Sequence, residues 1–245
     1  MRYFIEHSYK GTAYCGWQKQ PNGMTIQEAI EKALSVVLRE PIEITGSSRT
    51  DTGVHAVQQF AHFDINTPIK NLNKTAHSVS SMLPFDIVVD RIVEVSTETH
   101  ARFDATHRCY EYKIYNKKNA FLHQRVYVFR PKLDVKAMNE AAQILLQHID
   151  FECFSKIHTE VKTFLCSIEY AHWEYQDGLL VFKIKANRFL RGMVRAIVGT
   201  LLDIGIGKLS KQDFEQIIVS KNRKNASAQA PACGLYLTEV GYDFI

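Results

Sequence analysis

The chain has 245 residues, 46% hydrophobic and 23% charged, which is enough to build one sizeable core or two smaller packed lobes. Lys and Arg number 30 against 26 Asp and Glu, and the resulting formal charge of +4 favours a polyanionic partner without requiring one. Because no run reaches the roughly 18 apolar residues of a membrane span, and because residues 1–11 are too charged for a signal peptide, we expect a cytoplasmic protein that does not bind membranes.

The cysteines give no sign of a metal or redox motif. They are odd in number and widely spaced, and no two of them form a CxxC pair of the kind found in zinc knuckles and redox couples. We therefore expect reduced thiols, as in a cytosolic protein, and neither a metal nor another cofactor. The five are Cys15, Cys109, Cys153, Cys166 and Cys233.

The first part of the chain mixes predicted strands with predicted helices. Strands are predicted where aromatic or β-branched residues recur between turn residues. Their ranges are 2–9, 42–45, 57–65, 87–95 and 108–115. Residues 25–28 (TIQE) form a capping box, and the apolar residues that follow fall on one helical face. A second helix is predicted to end near Pro84, because the residue before a proline disfavours the helical conformation.

The second part of the chain repeats this alternation. A helix is predicted after Asp134, and a hairpin is predicted to turn at residues 176–178 (QDG). Residues 189–201 carry apolar side chains at helical spacing, which predicts a long buried helix. Ser210 caps a shorter helix, and a strand is predicted over 235–242.

These elements predict an α+β fold with two similar lobes. Each lobe is expected to contain an antiparallel or mixed β-sheet with helices packed on one face, and the active-site cleft is expected between the lobes. We predict an N-terminal lobe over residues 1–105 and a C-terminal lobe over residues 106–245.

The segment 48–56 (SRTDTGVHA) is too polar and too rich in small residues for a strand, although predicted strands flank it. It brings a carboxylate, Asp51, and a guanidinium, Arg49, close to the flexible Gly53. Such a loop can hold a reactive Asp beside a polyanion. From composition alone, a turn with a solvated Arg is about as good an explanation.

The whole string resembles the signature loop of the TruA family of pseudouridine synthases, in which the Asp is catalytic. Four further regions resemble the family's remaining blocks in the family's order, and the five together span nearly the whole chain. They are 9–18 (YKGTAYCGWQ), 100–103 with 108–112 (HARF, RCYEY), 189–201 (FLRGMVRAIVGTL) and 230–237 (APACGLYL). The chain departs from the family's usual residues at Lys10, Ser48, Gly192 and Ala196, and the Asp is not among these departures.

The resemblance implies an isomerase that acts on uridines on the 3′ side of the tRNA anticodon arm, with Asp51 as its catalytic carboxylate. It also implies a homodimer whose partner subunit helps to hold the tRNA. The reaction breaks the bond from C1′ to N1, turns the uracil and rejoins it through C5. A carboxylate can add to the sugar or base, or can remove a ribose proton, and the sequence does not choose between these routes.

An ionised Asp51 in a pocket that excludes water needs a cation nearby, because desolvation raises the pKa of a carboxyl group. The resemblance assigns this role to Arg195. Helical spacing predicts that Arg195 shares a face with Arg191. The alternative is a snorkelling Arg that covers apolar surface, which is the more ordinary role of such a residue.

The resemblance also assigns an active-site tyrosine to Tyr110, which can stack on the displaced uracil. Tyr112 shares its strand face, and core packing is the alternative role for both rings. Arg49 is our candidate for the cation that occupies the space left by the displaced base. We expect a structural role for His55 and no catalytic one.

Two other functions compete with this interpretation. A noncatalytic RNA-binding module also fits β-sheet lobes with aromatic residues and a slightly basic charge. A nuclease or phosphatase that uses Asp51 as a metal ligand fits less well, because such sites gather several carboxylates and Asp51 has none nearby in the sequence.

Overall fold

The computed structural model describes residues 1–157 and 161–245, and the chain divides into two compact units. The first unit comprises Met1–Thr106 together with Tyr236–Ile245, and the second comprises His107–Leu235. Across the described residues, the fold is α+β with mixed β-pairing and five α-helices, as the sequence predicts. No helix in these ranges combines the length and apolar character required to cross a bilayer.

The strands and helices are labelled in chain order. The strands are β1 (Arg2–Tyr9), β2 (Thr45–Gly46), β3 (His55–Asp64), β4 (Ile87–Val95), β5 (His107–Tyr115), β6 (Tyr127–Val128), β7 (Ile168–Gln176), β8 (Leu179–Ala186) and β9 (Leu235–Gly241). The helices are α1 (Ile26–Leu38), α2 (Leu72–Met82), α3 (Val135–Ala142), α4 (Met193–Gly205) and α5 (Lys211–Ser220).

In the first unit, β1 lies antiparallel between β3 and β4, and β2 pairs with the far end of β3. From Tyr236 onward, β9 belongs to this unit and runs parallel to the start of β3, with His55 opposite Tyr236. Alternate residues of β1 face the core, and Tyr3 and Ile5 are fully buried. The register of β1 with β3 shifts between His7 and Tyr9, where β1 approaches the Asp51 loop.

In the second unit, β8 lies antiparallel between β5 and β7, and the short β6 runs parallel to β5. The predicted hairpin is confirmed. Asp177 and Gly178 adopt φ of 50° and 77° between β7 and β8, as a tight hairpin turn requires. The predicted caps at Thr25 and Ser210 are confirmed, because their side chains accept from the amides of Glu28 and Asp213. The helix predicted after Asp134 begins at Val135, and the Asp134 side chain accepts from the Ala137 amide.

The predicted strand 42–45 is wrong except at Thr45, which lies in β2. The amides of Ile42 and Ile44 instead donate to side chains of α1, Ser35 Oγ at 2.9 Å and Glu31 Oε1 at 3.1 Å. Since these donors already have partners on the helix, the segment forms no strand ladder with a neighbour. Its apolar residues Ile42 and Ile44 are nevertheless buried.

Candidate active site

The loop over residues 47–54 connects β2 to β3 in the first unit. It holds most of the predicted catalytic segment 48–56, whose last two residues, His55 and Ala56, begin β3. Arg49 is exposed, Asp51 is half-buried and Thr50 between them is buried. The amide of Val54 donates to the Asp51 carbonyl oxygen at 3.1 Å, and Gly53 adopts a left-handed φ of 80° within this turn. The loop therefore carries its acidic and basic side chains on a defined turn.

The segment that follows β1 packs directly against this loop. The Trp17 amide donates to the Thr50 carbonyl oxygen at 3.1 Å. Gly16 has a left-handed φ of 87°, and a Cβ there would lie 2.7 Å from the Thr50 oxygen. A Cβ on Gly11 would lie 1.9 Å from the carbonyl oxygen of Val54. The middle and the end of the loop thus touch backbone that only glycine allows so close.

Buried polar side chains lie beneath the loop. The Tyr9 hydroxyl is 2.8 Å from Thr50 Oγ1 and donates to Gln59 Oε1 at 2.6 Å. The Gln59 amide nitrogen donates to the Ser48 carbonyl oxygen at 2.9 Å. Gln59 was not among the residues predicted for the site. An amide at an inward position of a predicted strand is the signal that could have identified it.

His7 lies beside these residues in the core. It is fully buried, and its ring stacks on Trp17 with centroids 5.0 Å apart. Its Nδ1 lies 3.3 Å from the Ile5 carbonyl oxygen, while Nε2 is buried without a hydrogen-bond partner. Burial lowers the pKa of His7 to about 4, so the ring is neutral at physiological pH.

We expect His7→Phe to weaken the pH dependence of stability. In the unfolded chain His7 takes up a proton as the pH falls through 6.5, whereas in the folded protein it stays neutral until about pH 4. Stability contributed by the neutral ring is therefore lost progressively between these two values. Between pH 7 and 5 the wild type should lose about 2 kcal/mol more unfolding free energy than the variant. Denaturant unfolding at both pH values checks this, and parallel losses would contradict it.

His55 has contacts typical of a structural residue. Its Nδ1 accepts the Gly11 amide at 3.1 Å, which fixes the ring tautomer with the proton on Nε2. The ring packs on Tyr236 of β9 with centroids 4.6 Å apart. These contacts support the prediction of a structural role.

In the second unit, Tyr110 and Tyr112 lie on one face of β5, as their spacing predicts. The Tyr112 hydroxyl donates to the Pro231 carbonyl oxygen at 2.7 Å, and burial raises the pKa of this phenol. Tyr110 retains 8% exposure, and its ring meets Phe189 edge to face with centroids 5.1 Å apart. Tyr112 is therefore held inside the core, whereas Tyr110 lies at the edge of the core.

Arg195 lies in the first turn of α4 and is half-buried. Its Nε donates to the Ala230 carbonyl oxygen at 2.7 Å, and the Ala230 amide donates to the Arg195 carbonyl oxygen at 3.0 Å. A Cβ on Gly199 would lie 2.0 Å from the Ala228 carbonyl oxygen. The backbone of residues 228–230 thus packs closely along α4 and orients one edge of the guanidinium.

The predicted shared face of Arg191 and Arg195 is wrong. The helix begins at Met193, and Gly192 before it adopts a left-handed φ of 71°. Arg191 therefore precedes the helix and is exposed, so the spacing of four residues does not align the two side chains. The carbonyl groups of Ala230 and Pro231 were also missed as partners, although their segment is one of the blocks that resemble the family.

Each unit thus contributes two of the predicted site residues. Asp51 and Arg49 lie on one loop of the first unit, and Tyr110 and Arg195 lie in the second unit on β5 and α4. The backbone on either side of Asp51 is anchored, which suits a carboxylate that must meet a reacting atom at a fixed distance. The pairing of Asp51 with Arg195 stays a prediction.

Comparison with known proteins gives consistent matches along the chain. A family model described as tRNA pseudouridine synthase matches residues 6–104 and 141–243. The chain is 49% identical over 241 residues to the tRNA pseudouridine synthase A of Parabacteroides distasonis, covering 98% of this chain and 96% of that protein. The Bacteroides fragilis protein of the same name is 49% identical over 242 residues with the same coverage. That of Acetivibrio thermocellus is 42% identical over 236 residues, covering 96% of each.

Proposed function

The chain belongs to the family of tRNA pseudouridine synthases, and from that premise we propose that it isomerises uridine to pseudouridine in the anticodon arm of tRNA, with Asp51 as the catalytic carboxylate. The observation that carries the proposal is the similarity to tRNA pseudouridine synthases A along nearly the whole length of both proteins. The anchored, half-buried Asp51 loop supports the assignment of the carboxylate.

The reaction asks little of the protein beyond one carboxylate and a pocket that retains the uracil. The C1′–N1 bond breaks, the uracil turns, and a bond from C5 to C1′ forms while the proton on C5 is lost and N1 gains one. Asp51 either forms a covalent bond during this sequence or removes a ribose proton. In both cases it must be ionised at the start.

We propose that Arg195 and Tyr110 act on the same uridine as Asp51. The Ala230 carbonyl oxygen orients one edge of the Arg195 guanidinium, and a guanidinium remains charged at any physiological pH. Such a cation would favour the ionised form of a neighbouring carboxyl group. On this proposal, the reactive group comes from the first unit and its electrostatic partner from the second.

The two Tyr110 variants are expected to separate stacking from hydroxyl chemistry. Tyr110→Phe keeps the aromatic face, whereas Tyr110→Ala loses both the face and the hydroxyl. Because stacking on a base contributes about 1–3 kcal/mol, Tyr110→Ala should lower the single-turnover rate about 10- to 100-fold further than Tyr110→Phe does. Equal rates for the wild type and both variants would remove Tyr110 from the site.

Arg49 is proposed to occupy the space that the displaced base leaves. Its side chain is exposed, while the backbone on both sides of it is anchored through Ser48 and Thr50. Arg49→Ala should therefore slow conversion of a folded anticodon arm more than that of an unpaired uridine oligonucleotide, whose base is already unstacked. Equal slowing of both substrates would contradict this role.

We further propose a cytoplasmic homodimer, because a chain of this size offers limited surface for holding a whole tRNA. Light scattering of the purified protein tests the dimer, and a monomer at working concentrations would count against it. Cell fractionation tests the location.

The function itself is tested with purified protein and unmodified tRNA transcripts. We expect pseudouridine at uridines on the 3′ side of the anticodon arm, formed in the presence of a chelator and without added nucleotide. Comparison of tRNA from cells with and without the protein identifies the natural positions. Binding of tRNA without conversion would support the RNA-binding module, and conversion only with added metal would support a metal-dependent site.

A further inference from the structure

Tyr9 is the centre of the buried polar side chains beneath the Asp51 loop. Tyr9 is 5% exposed, Gln59 is fully buried and Thr50 is 8% exposed. The Tyr9 hydroxyl contacts both of the others, which lie 41 and 50 residues away in the sequence. Tyr9 therefore joins the end of β1 to the loop and to the middle of β3.

The chemistry of the groups gives these hydrogen bonds a direction. The Gln59 amide nitrogen donates to the Ser48 carbonyl oxygen, so the amide oxygen Oε1 faces Tyr9 and can only accept. The Tyr9 proton is then used towards Gln59, and the Thr50 hydroxyl must donate to Tyr9. The result is a continuous chain of donors: the Thr50 hydroxyl donates to the Tyr9 hydroxyl, which donates to the Gln59 amide oxygen. The Gln59 amide nitrogen in turn donates to the Ser48 carbonyl oxygen.

Both ends of this chain of donors lie on the catalytic loop. Ser48 is held through its carbonyl oxygen and Thr50 through its side chain, so the two contacts bracket Arg49. Thr50 also precedes Asp51 directly. A rotation of the Thr50 backbone would move the Asp51 carboxylate, and the Tyr9 hydroxyl opposes that rotation.

We propose that Tyr9 is a positioning residue for the reaction, whose hydroxyl sets the backbone of Thr50 and thereby the location of the Asp51 carboxylate. This inference rests on the proposed catalytic role of Asp51. A displacement of a reacting group by about 1 Å can cost about 100-fold in rate. Buried polar groups with complete partners also fix one arrangement of a loop more sharply than apolar packing does.

The test compares Tyr9→Phe with a matched control on the same strand, Tyr3→Phe. Tyr3 is also buried, and its hydroxyl accepts the Ile69 amide at 3.2 Å, away from the loop. We expect Tyr9→Phe to lower the single-turnover rate of pseudouridine formation about 10- to 100-fold, with tRNA affinity within about twofold of wild type. Tyr3→Phe should keep the wild-type rate.

Thr50 gives a second, conservative pair of variants. Thr50→Val removes the hydroxyl at nearly constant shape and should lose rate as Tyr9→Phe does, whereas Thr50→Ser keeps the hydroxyl and should retain most of the rate. The double variant of Tyr9→Phe and Thr50→Val should be no slower than the slower single variant, because both substitutions remove the same hydrogen bond between the Tyr9 and Thr50 hydroxyls. Wild-type rates in Tyr9→Phe and Thr50→Val would overturn the proposal.

Two further outcomes are informative. A loss of tRNA affinity equal to the loss of rate in Tyr9→Phe would also overturn it, because it would show a binding or folding role. Asp51→Asn, measured in the same assay, separates the two proposals. If Asp51→Asn is inactive while Tyr9→Phe is normal, only the positioning role fails. If Asp51→Asn is active, the catalytic assignment of Asp51 is wrong, and the positioning role of Tyr9 that rests on it fails as well.

Discussion

Asp51→Asn is expected to abolish pseudouridine formation, with a fall of about 10³-fold or more in the single-turnover rate, as for loss of other groups that act covalently or as bases. Asparagine keeps the size of the side chain and one carbonyl oxygen but cannot act as a carboxylate. Because the loop is held through Ser48, Thr50 and Val54, we expect the melting temperature to stay near that of wild type. The affinity for tRNA should stay equal or rise, since one charge that repels phosphate is removed.

The matched control is Asp177→Asn, at the exposed turn between β7 and β8. Asparagine tolerates the left-handed conformation of that turn, so this variant should keep wild-type rate, affinity and stability. Wild-type turnover by Asp51→Asn would show that the catalytic assignment is wrong. Early melting together with loss of tRNA binding would instead make Asp51 a structural turn residue and favour the RNA-binding module.

Gly16→Ala is expected to reduce both stability and activity strongly. A left-handed φ costs an alanine about 1–2 kcal/mol. The new Cβ would also lie 2.7 Å from the Thr50 carbonyl oxygen and 3.2 Å from the Asp51 carbonyl carbon, so the loop must move. Because that movement displaces Asp51, we expect the single-turnover rate to fall about 100-fold. Thermal melting and the pseudouridine assay measure the two effects.

Gly207→Ala is the matched control, because it carries the cost of a left-handed φ without a steric contact of the new Cβ. Gly207 has a left-handed φ of 75°, but no neighbouring atom lies within 4 Å of the Cβ that alanine would add. This variant should therefore lose only about 1–2 kcal/mol of unfolding free energy and should keep wild-type activity. Equal effects of the two substitutions would show that the close approach of Gly16 to the loop has no functional importance.

Much of the fold was accessible from the sequence, because local patterns specify local structure. The predicted strands 2–9 and 87–95 coincide with β1 and β4, and the predicted end of the second helix coincides with that of α2. In each case alternation or helical spacing meets a clear turn or proline signal. The prediction for 42–45 failed because its amides donate to side chains of α1, and periodicity does not identify the partner of a backbone amide.

The candidate site was less accessible, because much of its geometry depends on contacts between distant segments. The motifs predict roles for Asp51 and Arg195. The chain of donors through Tyr9, however, joins residues 50 positions apart, and no pattern within either segment reveals it. The Ala230 carbonyl oxygen that orients Arg195 is a backbone atom, which sequence motifs do not mark. Gly192 was a usable signal, since a glycine between Arg191 and Arg195 can end the helical spacing on which their shared face was predicted.

The return of residues 236–245 to the first unit has a consequence for synthesis on the ribosome. The second unit is continuous in the sequence, whereas the first unit is completed only by β9, whose residues in that unit are made after the whole second unit. Until then, the start of β3 at His55 and Ala56 lacks its parallel neighbour, directly beside the loop that carries Asp51. Limited proteolysis of ribosome-arrested chains should find this edge cleavable until Leu237 has emerged. The nascent chain therefore carries Asp51 for most of translation without the strand that completes the adjoining sheet.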